Sequence, residues 1–300
     1  QLCAEDGLCK VATAGFVGHV WGMEASKLIF SEDHPFSLVR GGSMLPSDAF
    51  LKSLPMAIAA EQRLTIDAVR VAADLAAAAY GSLVEVAVAT ASESDAVAST
   101  PLVLHAWAFV DQLYAVRKLL ERLSEVACGP RVDTFLKASS EAVHLRNRTD
   151  HLHSKIVNIA AKKNVERSLF GCVSYCLDPE LAGHSGHDVL LVSHHIEPVR
   201  PDESLSRVRT PGDDIRLPCG NFFISADGRV LDVDSCVITL SKLMKRMNET
   251  VEVQTAELIE RLSLEREIPK ENLSESFGSG ARINILLRKR TAAEIELINQ

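Results

Sequence analysis

Arg146-Asn147-Arg148-Thr149-Asp150-His151 is the stretch whose residue types and spacing could do chemistry. A guanidinium offers a rigid fork of donors that matches the oxygens of a phosphate. An imidazole gains or loses a proton near neutral pH. Arg146, its polar neighbour Asn147 and His151 five positions on therefore make a phosphate-handling set. His153 lies seven positions beyond Arg146 and five beyond Arg148, so the partner histidine stays open. The plainer alternative is a solvated helix face on which Arg146 and Asp150 form an i,i+4 ion pair.

A second group of chemistry-bearing residues is Cys172 and Cys176, His184 and His187, and the pair His194-His195. Thiolates and imidazoles are zinc ligands, which makes these weak metal candidates. Their spacing argues against a site. Cys172 and Cys176 fall in a strand-like segment and would share one face toward a core, while His194 and His195 would point to opposite faces. No metal and no other cofactor is expected. Cys3 and Cys9 carry no assignment, Gly41-Gly42-Ser43 is too short for a phosphate-binding loop, and no nucleophile-elbow pattern occurs.

The elements that must position Arg146 are helical. Residues 64–88 are Ala-rich with helical patterning. Over residues 102–126, Phe109, Leu113, Val116, Leu120 and Leu123 form one apolar stripe at helical period, and Gly129-Pro130 ends it. Residues 133–161 carry a further stripe through Phe135, Ala138, Ala142, Leu145, Thr149, Leu152, Ile156 and Ile159. Two long helices joined by a short turn predict an antiparallel hairpin, the usual start of a bundle. With Leu145 facing the core, Arg146, Asp150 and His153 take one flank of the helix; His144, Arg148, His151 and Lys155 take the other. An undistorted helix would not bring Arg146 and His151 tip to tip. A local unwinding, a long reach or a second subunit would be needed.

The texture then changes. Segments 168–177, 188–195 and 222–233 are short, rich in β-branched or aromatic residues and separated by turn formers, which predicts strands. Ala226-Asp227-Gly228 is a hairpin signal. A helix is expected over 235–264 with Leu240, Met244, Met247, Val251 and Leu258 on one side, loops over 200–218 and 272–280, and a last strand over 283–287. The fold class is α+β: an N-terminal helical bundle built on the hairpin, then a small antiparallel sheet with a covering helix. The expected division is an irregular segment 1–63, a helical unit 64–164 and a β-rich unit 165–300.

The Arg146-Asn147-x-x-x-His151 pattern on a late helix resembles the Arg-polar-x(3–5)-His signature of HEPN (higher eukaryotes and prokaryotes nucleotide-binding) domains. The similarity covers about a third of the chain, over the helical segment. It implies a helical bundle acting as a homodimer, with RNA or nucleotide as ligand or a protein as partner. Many such domains are metal-independent endoribonucleases; others are non-catalytic. Carried over, His151 would be the general acid or base on a ribose hydroxyl or the leaving oxygen. Arg146 would hold the scissile phosphate and Asn147 would orient it or His151. Arg148, Lys155 and His153, with Lys162 and Lys163, would add phosphate contacts that weaken with salt. The rival is a non-catalytic interaction or dimerisation module, and a zinc-binding accessory role on the Cys/His group is a weaker third.

The chain of 300 residues has ordinary globular composition, 47% hydrophobic and 24% charged. Its net charge of −8 is uneven: residues 1–100 sum to −6, residues 101–167 to +4 and residues 168–300 to −6. The motif thus sits in the only basic segment, which disfavours a general nucleic-acid coat yet leaves a local polyanion site open. Seven thinly spread cysteines predict a reducing, cytoplasmic setting rather than a disulfide framework. The first residue is Gln, so the chain is expected to be a fragment or processed. The most apolar run, near residues 75–90, follows Asp74 and contains Glu85, so no membrane association is expected.

Overall fold

The computed structural model describes residues 28–39, 41–91, 99–123, 129–151, 153–154, 170–195 and 215–273. The expected strand at 283–287, Lys155, Lys162, Lys163 and most of the loops at 200–218 and 272–280 lie outside them.

The α+β class is observed. Helix α1 (Pro35–Leu38) opens the described chain, followed by α2 (Ala60–Ala89), α3 (Ser99–Leu120), α4 (Pro130–Ala138) and α5 (Ser140–Asp150). Strands β1 (Cys172–Leu177), β2 (Leu190–His195), β3 (Cys219–Ala226) and β4 (Arg229–Asp232) follow, then α6 (Val233–Arg266) and α7 (Lys270–Leu273). The sheet is antiparallel in the order β2-β1-β3-β4. Asp227 and Gly228 join β3 to β4 with positive φ angles of 55° and 74°, the geometry a tight hairpin demands and Asp-Gly supplies. Asp232 caps α6 by accepting from the Ser235 N–H at 2.9 Å.

The main helix pair is α2 against α3. Ala72, Ala73, Ala76 and Ala77 on α2 are buried and small, and α3 supplies the bulk with Phe109, Leu113 and Val116. The hairpin expected between the second and third helices is different in two respects. The helix expected over 133–161 is broken at Ser139, where φ is −92° and ψ is 10°. The Ser139 hydroxyl donates to the Phe135 carbonyl at 2.7 Å and accepts from the Arg117 guanidinium at 2.9 Å. A serine that finds such partners competes with the helix ladder, and the apolar stripe steps from α4 to α5 across the break. Packing then separates the two pieces: α4 lies chiefly on α6, and α5 lies on α3 and β4.

Apart from α1 and a short 3-10 turn at Phe50–Lys52, the described residues between 28 and 59 carry no regular element, yet they are not peripheral. Phe36, Val39, Met44, Leu45, Leu51 and Leu54 are buried in the core. The Leu51 N–H donates to Asn248 on α6 at 2.9 Å, and Ser43 and Met44 are held to Asp74 on α2. Buried apolar side chains from both halves of the chain belong to one continuous core. An aromatic series crosses it, from Tyr175 on β1 stacked on Phe222 of β3, to Tyr80 on α2 and Phe109 on α3.

Candidate functional site

Arg146 stands on α5, whose Leu145 and Ala142 face the core and so turn position 146 to the flank. Its Nε lies 2.7 Å from an Asp111 carboxylate oxygen on α3, and its Nη1 bonds Asp150 one turn on. The side chain is 29% exposed. Two carboxylates of the same chain thus flank the guanidinium that was to hold a phosphate. Asn147 is exposed. The helix is unbroken from Arg146 to Asp150 and His151 is its C-cap, so the unwinding lies at His151 and not between the two residues. His151 and His153 are both exposed, and the Ser154 N–H and hydroxyl both donate to the His151 carbonyl.

Arg148 is a correction. Expected on the solvated flank as a phosphate contact, it is only 4% exposed and its Nη1 lies 3.5 Å from the Asp227 carboxylate. It stands three residues after Leu145, close to the core-facing direction, and the β3–β4 turn packs over it. No periodicity in the sequence could place that turn there. Lys155 lies outside the described residues.

No known family, curated protein or solved structure matches this chain. What links it to any functional class is therefore the motif and the geometry.

The sheet sets Cys172 opposite His195 across β1 and β2 but leaves Cys176, His184 and His187 out of that pairing. Cys172 and Cys176 are buried, and the Cys172 thiol lies 2.9 Å from the Ser225 hydroxyl. Burial, then the nearby Asp234, pushes the Cys176 thiol up to about 11, which disfavours the thiolate a metal needs. His184 and His187 are exposed beyond the end of β1, while His194 stacks on Tyr175 with its Nε2 3.1 Å from the hydroxyl. Among the described residues, no three His, Cys, Asp or Glu side chains are gathered as metal ligands would be.

A polar cluster that the sequence did not reveal lies between α2, β3 and the start of α6. Asp234 is fully buried. Its carboxylate accepts from the Tyr80 hydroxyl at 3.0 Å, from the Asn221 N–H at 2.8 Å and from the Arg216 guanidinium at 3.2 Å. Desolvation raises the Asp234 pKa, and Arg216 and the two other donors pull it back. His34 lies on the far side of the same cluster, with its Nδ1 accepting from the Phe36 N–H at 3.1 Å. Burial, reinforced by Arg216, lowers the His34 ring to about 4, so it is neutral at ordinary pH. A Cβ at Gly220 would come within 3.1 Å of His34 Nε2 and 2.8 Å of the Arg216 backbone oxygen. The backbone at Gly220 thus packs closely against His34 and Arg216. The cluster ties the irregular N-terminal stretch, α2 and the sheet to the start of α6. The only sequence trace of it is an acidic pair, Asp232 and Asp234, of the kind that ordinarily caps a helix.

The outer face of α2 is the remaining feature of note. Leu64, Val71 and Leu75 are 67%, 40% and 51% exposed, at i, i+7 and i+11. Over its best 18-residue window α2 has a mean hydropathy of 1.5 with 56% of the window buried, so it is long and apolar enough to cross a membrane by composition. Its inner face is filled by the core, which is how a core helix passes the same test.

Proposed function

We propose that this chain is a non-catalytic interaction module that self-associates through the outer face of α2. The observation that carries this is the row Leu64, Val71 and Leu75, three large apolar side chains turned to solvent on one helix face. At about 1.5 Å per residue α2 is about 45 Å long, enough to lay a helix-length strip against a partner. Ala68 and Ala78 stand between and beside the larger residues on that face and let a second helix approach. The same strip on a second copy is its natural complement, because a two-fold pair uses one patch twice. The flanking Asp67 and Asp74 share the single guanidinium of Arg70, so the strip is bordered by one net negative charge. Sedimentation of the wild type beside a Leu64→Glu, Leu75→Glu variant tests this. The wild type is expected to dimerise with rising concentration and the variant to stay monomeric while folded; a wild type that is monomeric at high micromolar concentration sinks the proposal.

A second reading, RNA or nucleotide phosphate binding with metal-independent cleavage, draws on one observation. Asn147, His151 and His153 are exposed at the end of α5 beside a partly exposed guanidinium. It requires Asp111 and Asp150 to yield Arg146 to a phosphate, and this makes it the weaker of the two. RNA incubated with the protein in EDTA, beside His151→Ala, decides it: cleavage lost in the variant supports it, and equal cleavage or none in both ends it.

A further inference from the structure

The second half of α6 presents a face that the core does not use. The stripe Leu240, Met244, Met247 and Val251 is buried, but past Thr255 no residue of α6 is. On the side of the helix away from that stripe lie Val253, Glu257, Glu260 and Leu264, at i, i+4, i+7 and i+11. Val253 and Leu264 are 58% and 76% exposed, and both glutamates are exposed. At about 1.5 Å per residue the row is about 16 Å long. It has apolar ends and an acidic middle. Glu260 meets Lys270 of α7 at 3.2 Å, and both side chains of that pair stay more than half exposed.

The chain itself holds a matching row. α7 turns back on α6 at Lys270 and ends at Leu273. Beyond it, outside the described residues, Leu286, Arg290, Ala293 and Leu297 recur at the same i, i+4, i+7 and i+11 spacing. Laid antiparallel on α6, Leu286 falls against Leu264, Arg290 against Glu260 and Leu297 against Val253, while Ala293 leaves room beside Glu257. Residues 274–285 make the link, and a link of that length extends to about 40 Å, more than twice the row. Ser274, Ser276, Gly278, Ser279 and Gly280 give it the composition of a return loop. The charges agree as well. Residues 282–290 hold Arg282, Arg288, Lys289 and Arg290 and no acid, whereas residues 252–266 of α6 hold four glutamates against two arginines.

We infer that residues 286–297 fold back as a helix along the outer face of α6 and cover it, with Leu286 and Leu297 seated on Leu264 and Val253 and with Arg290 drawn to Glu260. This takes Leu286 and Leu287 as the start of a helix rather than the end of a strand. Burial of the apolar ends supplies most of the attraction, because an exposed ion pair adds little. A helix this short is marginal in water by itself, so it forms on the surface it covers. Held there, it closes the projecting half of α6 to other partners. The contact lies on α6 and is independent of the α2 strip.

Hydrogen exchange of the full chain, read by mass spectrometry on fragments from residues 284–300, is the test. The wild type is expected to exchange there at least about tenfold more slowly than an unstructured chain, at any protein concentration. Leu264→Asp is expected to abolish that protection with the melting temperature retained, since the side chain it replaces is 76% exposed. Arg290→Glu is expected to speed exchange about twofold to fourfold, and Glu260→Arg in the same chain to slow it again. Four results each overturn the inference: exchange at the unstructured rate in the wild type, protection unchanged in Leu264→Asp, no rescue by the charge swap, or protection that grows with protein concentration, which would put the tail of a second copy on the row. Val253→Asp tests the other end of the row, so a misfolded Leu264→Asp leaves the outcome readable.

Discussion

Replacing Gly81 with alanine is expected to stabilise the protein. Two terms set the magnitude. Alanine is favoured over glycine in a helix interior by about 0.8–1.0 kcal/mol, mostly through the backbone entropy glycine loses on folding. The steric term is close to zero, because the added Cβ finds nothing within 4 Å and the position has ordinary helical backbone. The sum is a gain of about 1 kcal/mol, or roughly 1.5 °C in melting temperature for a chain of this size. Urea unfolding of wild type and Gly81→Ala side by side should show a higher midpoint with an unchanged slope. Gly171→Ala is the internal contrast. There φ is 74° and a Cβ would fall 2.0 Å from the Ser225 carbonyl oxygen, so that variant should lose stability steeply. A Gly81→Ala protein destabilised in the same sense would mean that the space beside Gly81 is filled, and the steric reasoning would fail.

Asp234→Ala should cost about 3–5 kcal/mol in urea unfolding, because Tyr80, Asn221 and Arg216 all lose their acceptor in a buried place; a loss under about 1 kcal/mol would contradict the network. His34 is held at about 4 in the folded chain against an ordinary 6.5, so between these values the unfolded chain binds the extra proton. Its contribution is fully present above pH 6.5, amounts to at most about 3 kcal/mol, and is lost as pH falls toward 4. His34→Asn keeps an acceptor for the Phe36 N–H and should flatten the stability profile in that window; identical profiles would refute the assignment. Arg146→Ala should cost under about 1 kcal/mol, since Asp111 and Asp150 are both about half exposed, and a larger loss by the same measurement would show the triad to be structural in a stronger sense.

Several elements were legible because local chemistry and tertiary packing agree there. The Asp227-Gly228 turn can hardly be anything but a hairpin, and the stripe Leu240, Met244, Met247 and Val251 of α6 is buried as its period requires. Ser139 was not legible. The apolar spacing through Phe135, Ala138, Ala142 and Leu145 runs across it unbroken, and what breaks the helix there is hydrogen bonding that includes Arg117 of another helix. Residues 28–59 have no period, so their burial could not be foreseen; it is dictated by the flanks of α2 and α6 that they cover. At the motif, the sequence correctly offered the Arg146–Asp150 pair as one alternative. Asp111 and Asp227, the partners of Arg146 and Arg148, come from distant positions that no local spacing encodes.

The seamless interior has a practical corollary. Tyr80, Phe109, Tyr175 and Phe222 come from both sides of any boundary drawn near residue 164, all are buried, and the Tyr80–Phe222 edge contact crosses that line. Cutting the chain there would bare a greasy wound on both fragments. Heating the intact chain should therefore melt helices and sheet together in a single cooperative event, with tyrosine fluorescence and far-ultraviolet dichroism changing in step.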